Sequence, residues 1–409
     1  MKSPLPSFPQ QHRGDAAQPQ RLLLGLALLL GLAGPLAGQP QETAAAVTEQ
    51  AKGYSAASGY LQPRITTDSA DPYVNRCALN PLDDIAKLRQ DPPYVEGYQS
   101  GASRNSAWAP TTGRGLVHRQ GIQRRMDGAR NYFLVSNSTQ DGVRPGLELV
   151  ALEAHDWRYE ALGQTVTPNS APAGGDHVLR YLAFPTPYYD HAGGFQASGA
   201  FAIVPYEHSD DIYYAGFLVA DLRTPAAPGW IASATRQRGE RTNAGAAAMT
   251  RLSDGRFLAL VFGDDANDVE VFLSSQASLP GTASGSSWNS VAAAATPPGF
   301  ESYQNLQLVT ACDGRLFVAG THKNGASEDW LDLWQLRFSY TLSPGFSKVA
   351  NRQLKCSSAT TAARRYCDFD AGAGVYVSAS GALLLYGVEH YNDGYPFDGS
   401  AVKVREFSR

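Results

Sequence analysis

The chain has 409 residues, 43% of them hydrophobic, enough apolar material for a large core in one or two domains. Its formal net charge is -4 and its 34 Lys and Arg residues are scattered, so no basic stripe can track a phosphate backbone and nucleic acid is excluded as a partner. Forty Gly, 20 Tyr and 16 Phe against three Met describe short strands and tight turns, and predict an all-β chain.

In chain order, the first feature is a Leu-rich apolar run over residues 22–37, preceded by Lys2, Arg13 and Arg21 and followed by small residues. That order predicts a signal peptide over residues 1–38 and a secreted or periplasmic mature chain. The run is shorter than the roughly 20 residues a spanning helix needs, so no stable membrane span is expected in the mature chain. No Cys follows it, which argues against a lipid anchor.

Residues 39–114 are rich in Pro, Ala, Ser, Gln and Gly and lack periodic hydrophobicity, apart from a helical turn or two around residues 81–89. They read as a partly disordered leader. Cys77, Cys312, Cys356 and Cys367 fit disulfides in an oxidising compartment. Cys356 and Cys367 flank a short polar loop and are expected to pair, which leaves Cys77 for Cys312. Their spacing fits no tetrahedral zinc site.

From residue 115 to 409 the sequence repeats five times. Each repeat opens on a small-residue segment: 118–123 (HRQGIQ), 191–196 (HAGGFQ), 243–248 (NAGAAA), 302–307 (SYQNLQ) and 370–375 (DAGAGV). A second strand follows at 132–136, 200–204, 257–261, 316–319 and 382–386, joined in later copies by Asp-Gly or Ser-Gly turns of hairpin type. A third lies at 147–151, 214–220, 269–273, 330–334 and 402–407, and outer-strand candidates at 157–162, 230–235 and 346–354 follow three of these. Radial repetition of three or four antiparallel strands predicts a β-propeller of five blades. A pair of β-sandwiches would not repeat at this interval. The last copy has no outer strand of its own, so the leader is expected to supply one; a sixth, divergent blade could hide around residues 177–185.

In a propeller the start of the innermost strand and the end of the second emerge on one face. The starts carry His118, His191, Asn243, Ser302 with Tyr303, and Asp370; the ends carry Ser138, Glu207 with His208, Asp264 with Asp265, Thr321 with His322, and Glu389 with His390. A ring of His and carboxylates at a channel mouth is what a ligand or metal site requires. For a bound ligand the residues singled out are His118, His191, Asn243, Tyr303 and Asp370; for catalysis Glu207, Asp370 and Glu389; for a divalent metal ion, the one cofactor these residue types suggest, His118, His191, His208, His322 and His390. The same polar groups could instead bond neighbouring blades. No Gly-x-Ser-x-Gly elbow, P-loop or His-Glu-x-x-His occurs, and residues 264–268 (DDAND) lack the Gly and distal Glu of a calcium loop.

With its HAGGFQ and YQNL elements the chain resembles a family of secreted bacterial five-bladed propellers of mostly unassigned activity, over residues 115–408. The resemblance implies fold and export rather than chemistry. More distantly the architecture is similar to five-bladed lectins and furanoside-cleaving hydrolases, which use three carboxylates around the channel; Asp190, Glu207, Glu301 and Asp370 are the nearest candidates but reproduce no motif. Two functions follow: a monomeric protein binding a carbohydrate or other small ligand at the channel mouth, or a metal-assisted, glycosidase-like hydrolase or lyase using the same face. N-terminal sequencing of exported protein should find a chain beginning beyond residue 37; one still carrying residues 22–30 would contradict the signal-peptide reading.

Overall fold

The computed structural model describes residues 61–67, 73–92, 94–99, 117–127, 130–139, 144–152, 177–208, 214–239, 241–281, 285–324, 328–356, 367–369, 372–389 and 401–409. All lie in one compact unit, Ala56–Arg409. The signal segment, residues 157–162, Asp370, His390 and the side chain of His118 lie outside them.

The chain enters through a short helix, α1 (Pro81–Lys87), and strand β1 (Tyr94–Gln99). Blade 1 is β2 (Val117–Asp127), β3 (Arg130–Thr139), β4 (Gly146–Leu152) and β5 (His177–Ala183). Blade 2 has β6 (Tyr189–Asp190) and β7 (Gln196–Ser198) on its inner edge, then β8 (Phe201–His208), β9 (Ala215–Asp221) and β10 (Gly229–Thr235). Blade 3 is β11 (Ala246–Arg251), β12 (Phe257–Phe262), β13 (Asp268–Ser274) and β14 (Trp288–Ala295). Blade 4 is β15 (Asn305–Thr310), β16 (Leu316–Lys323), β17 (Asp329–Phe338) and β18 (Pro344–Leu354). Blade 5 is β19 (Ala373–Val377), β20 (Leu383–Val388), β21 (Ala401–Phe407) and, as its outermost strand, β1.

These five antiparallel sheets form a five-bladed β-propeller. Residues 177–183, where a sixth blade could have begun, instead pair with β4 as the outer strand of blade 1. In blades 3, 4 and 5 the inner strands begin three residues later than the repeated segments. Blade 3 shows this: its segment starts at Asn243, its strand at Ala246.

Why the second strands are apolar throughout follows from burial. β12 (FLALVF) is buried at every position. Leu258, Leu260 and Phe262 pack toward blade 4, while Phe257, Ala259 and Val261 pack toward blade 2. Period-two alternation thus serves two cores, one on each face of the sheet. Among the described residues there are five such apolar clusters, one at each blade junction, and the junction of blades 5 and 1 closes the ring through Leu384, Tyr386 and Val388 against Ile122, Phe133 and Val135.

Each Asp-Gly turn is built by its own residues. Asp254 accepts the Arg256 amide at 3.0 Å and pairs with its guanidinium, while Gly255 takes the left-handed conformation the turn needs. Across this turn face lies the leader. Tyr73 stacks on Phe201 and meets Phe257 edge-on, Ala78 pairs with Ala311, and Cys77 is bridged to Cys312. Asp84, fully buried on α1, accepts the Leu383 amide at 2.8 Å and meets Arg409. The second disulfide joins Cys356 to Cys367, so both expected pairings occur and no cysteine is free.

At the axis the inner strands touch. Gln196 of blade 2 donates to the Leu308 carbonyl at 2.8 Å and accepts the Met249 and Leu308 amides, so one side chain ties three blades. Gly194 lies against blade 4: a Cβ there would stand 2.0 Å from the Gln304 carbonyl oxygen. Gly194→Val should therefore abolish soluble folded protein, or cost at least the upper end of the about 1–3 kcal/mol typical of overpacking, in urea unfolding followed by tryptophan fluorescence.

Candidate functional site

The end of the propeller opposite the leader collects the polar ring. His118 stands opposite Ser138 in the β2–β3 register, Asp190 opposite Glu207, and Asn305 opposite Thr321. The structure divides these residues into two sets by burial.

On blades 4 and 5 the ring residues Tyr303, Thr321, His322 and Glu389 are buried. Tyr303 is fully buried; its hydroxyl donates to Asp332 at 2.5 Å and accepts from the Trp334 indole at 2.9 Å. Burial, reinforced by the Asp332 carboxylate, holds the Tyr303 phenol well above its ordinary range, so it remains a donor. His322 Nε2 and Lys348 Nζ reach the same Asp332 oxygen at 3.2 and 2.7 Å. Burial alone would raise the Asp332 pKa, but hydrogen bonds from His322, Lys348 and Tyr303 bring it below the usual carboxylate range. Glu389, 2% exposed, faces the fully buried Arg119 of blade 1 at 3.8 Å, and Lys323 pairs with Asp368 across the blade 4–5 junction. Tyr303, His322 and Glu389 therefore lie within blade junctions.

On blades 2 and 3 the ring is accessible. Glu207 and His191 retain 24% and 22% of their side-chain exposure, and His191 Nδ1 stands 3.5 Å from Glu207 Oε1. That oxygen also accepts the Ala244 amide of blade 3 at 3.0 Å. Burial pushes the Glu207 pKa up, yet its bond to His191, that imidazole's charge and the Ala244 amide together bring it below the ordinary value. His191 is held in the left-handed region, φ 48°, with its amide on Asp190 Oδ1 at 2.8 Å. A β-substituted residue in that conformation is costly and is found where the surroundings impose it.

Asn243, half-buried, directly precedes the Ala244 whose amide Glu207 accepts, and the exposed Ser302 donates to Asp265 at 2.5 Å across the blade 3–4 junction. His208 turns away from Glu207 to meet Tyr188 and Tyr214. Beneath Asn243 the fully buried Arg236 donates to its carbonyl at 2.8 Å and to both Asp268 oxygens at 2.9 and 2.8 Å. Among the described residues no three His, Cys, Asp or Glu are grouped so as to hold a metal ion.

Sequence reasoning did not single out Arg119, Arg236, Tyr188 or Tyr214. Arg119 follows His118 directly, and an Arg beside a ring position is a readable signal for an inter-blade pair. The doublet Tyr188-Tyr189, just before His191, is a signal for an aromatic rim. Arg236 offers none, because its carboxylate partner Asp268 lies 32 residues along the chain.

No protein-family model matches the chain, and no curated protein sequence matches it. Among solved structures it is similar to the catalytic domain of a GH62 alpha-L-arabinofuranosidase from Coprinopsis cinerea, at 11% identity and TM-score 0.42, over 77% of this chain and 96% of that one. It is also similar to an alpha-L-arabinofuranosidase from Podospora anserina in complex with cellotriose, at 11% identity and TM-score 0.44, over 78% and 96%. A third is the native Bacillus subtilis arabinanase, at 13% identity and TM-score 0.38, over 71% and 94%. The likeness is one of fold.

A carboxylate with a lowered pKa stabilises the fold above its unfolded-state value and loses that contribution as pH falls through the folded value. Wild-type stability should therefore decline below about pH 4.3, the ordinary glutamate value. Glu207→Gln should flatten that part of the profile, as read from urea midpoints between pH 7 and pH 3. An unchanged slope would show that Glu207 is not held ionised by His191 and Ala244.

Proposed function

We propose that this chain is an exported propeller that binds carbohydrate on the rim of blades 2 and 3. The observation that carries the reading is the Glu207–His191 pair: accessible, fixed by Ala244 and Asp190, and built on a left-handed His191. A prepositioned carboxylate acceptor beside an imidazole, with Asn243 next to the bonded Ala244, offers forked hydrogen bonds to a polyhydroxylated ligand rather than an apolar enclosure. Export is supported by the apolar run at residues 22–37 and by the pairing of all four cysteines.

A hydrolytic version of the same site is favoured by one feature. Glu207 is accessible and fixed beside His191 and the Ala244 amide, the placement that a carboxylate acting as base or nucleophile requires. Both versions place the ligand at the same residues.

Titration calorimetry with arabino-, xylo- and cello-oligosaccharides should detect binding, weakened at least tenfold by Glu207→Gln and by His191→Asn. Asn tolerates the left-handed backbone, so His191→Asn should leave the melting temperature within a few degrees of wild type. Release of reducing ends, lost in Glu207→Gln, would assign the hydrolytic version. Binding to none of these glycans, or binding unaffected by both substitutions, would overturn the proposal.

A further inference from the structure

We infer that the rim of blade 2 carries a second, aromatic subsite, formed by Tyr188, His208 and Tyr214, which stacks a further sugar ring and makes the ligand an oligosaccharide of at least two rings. This rests on the reading of Glu207 and His191 as a carbohydrate site.

Glu207 and His208 are consecutive at the end of β8, so their side chains leave the sheet on opposite faces. Glu207 goes to the blade 3 side, where it meets the Ala244 amide. His208 follows Tyr206, two residues earlier on the same face, which packs in the core shared with blade 1. The two groups straddle the rim, and a ligand must cross it to reach both.

On the blade 1 side stand three rings, Tyr188 exposed and His208 and Tyr214 half-buried. Tyr188, 54% exposed, lies parallel to the His208 ring, 5° between planes and 5.7 Å between centroids. His208 in turn stands 4.6 Å from Tyr214. Tyr188 is set in its turn by its amide on Thr186 Oγ1 at 3.2 Å. Its neighbour Tyr189 stacks on Tyr206 at 3.9 Å, and Phe184 meets both Tyr189 and Trp230 edge-on. The Trp230 indole is fixed on the Ala183 carbonyl at 2.7 Å. A supported aromatic layer therefore runs under the rim, and Tyr188 is its exposed end.

An exposed Tyr held against a second ring loses little side-chain freedom when a ligand covers it, and the apolar C–H face of a sugar removes that ring surface from water. Forked polar groups on one side of the rim and rings on the other match the two characters of a sugar chain, hydroxyl edge and apolar face.

The test is calorimetric titration of the full chain with mono-, di-, tri- and tetrasaccharides of the arabino-, xylo- and cello- series. Wild-type affinity should rise at least tenfold from mono- to trisaccharide. Tyr188→Ala should bring the trisaccharide to the monosaccharide level, whereas Tyr188→Phe, which keeps the ring, should retain the rise. Affinity independent of length, or a length dependence that Tyr188→Ala leaves intact, overturns the aromatic subsite while leaving binding at Glu207 standing. Failure to bind any of the sugars overturns the carbohydrate reading and the subsite with it.

Discussion

Everything in this molecule is arranged around the contact of five inner strands at one axis. The backbones come so close that Gly194 has no room for a Cβ beside the Gln304 carbonyl. Polar backbone brought that near to other backbone must be hydrogen-bonded or it is heavily penalised. Gln196 answers this by bonding to blades 3 and 4 at once, and Ser136 Oγ does so between blades 1 and 2 on the Gly193 carbonyl. Glycine for proximity and glutamine for satisfaction together explain the composition of the repeated segments.

Because the inner strands meet, each sheet is covered on both faces by its neighbours, and the second strands become continuous apolar runs. The outer strands escape this. β18 is exposed or half-buried along most of its length. The leader supplies the remaining edge: β1 completes blade 5, while the segment from Tyr73 to α1 lies over the turns of blades 2 to 5 and is bonded there covalently at Cys312. One face of the propeller is thereby occupied by the chain itself, and the polar ring lies on the other.

The ring serves two purposes, divided by geography. Arg119 with Glu389, Lys323 with Asp368, and Tyr303 and His322 with Asp332 are buried, and removing one partner of such a pair leaves a desolvated charge. His191 and Glu207 make the same kind of contact but keep part of their surface in water. A polar group that has been fixed by its neighbours and still faces solvent is prepared for a ligand; one that is fixed and enclosed is prepared only for its partner.

The sequence by itself determined the all-β class, the five-fold repetition, the Asp-Gly hairpins and the Cys356–Cys367 bridge, since these depend on local chemistry or on period-two patterns inside one repeat; the Cys77–Cys312 bridge, 235 residues apart, followed only as the pair left over. It also placed His191 and Glu207 on one face, because strand starts and strand ends in antiparallel neighbours share an edge. Which ring residues are open was decided by tertiary structure alone. Tyr303 and His191 occupy nearly equivalent places in their repeats, yet Tyr303 is enclosed because Asp332 and Trp334 of the third strand and Phe300 of the preceding loop close over it. Burial at a ring position thus depends on what the third strand brings over it, 29 and 31 residues along the chain for Tyr303, and the pattern of the inner strand alone does not carry that information.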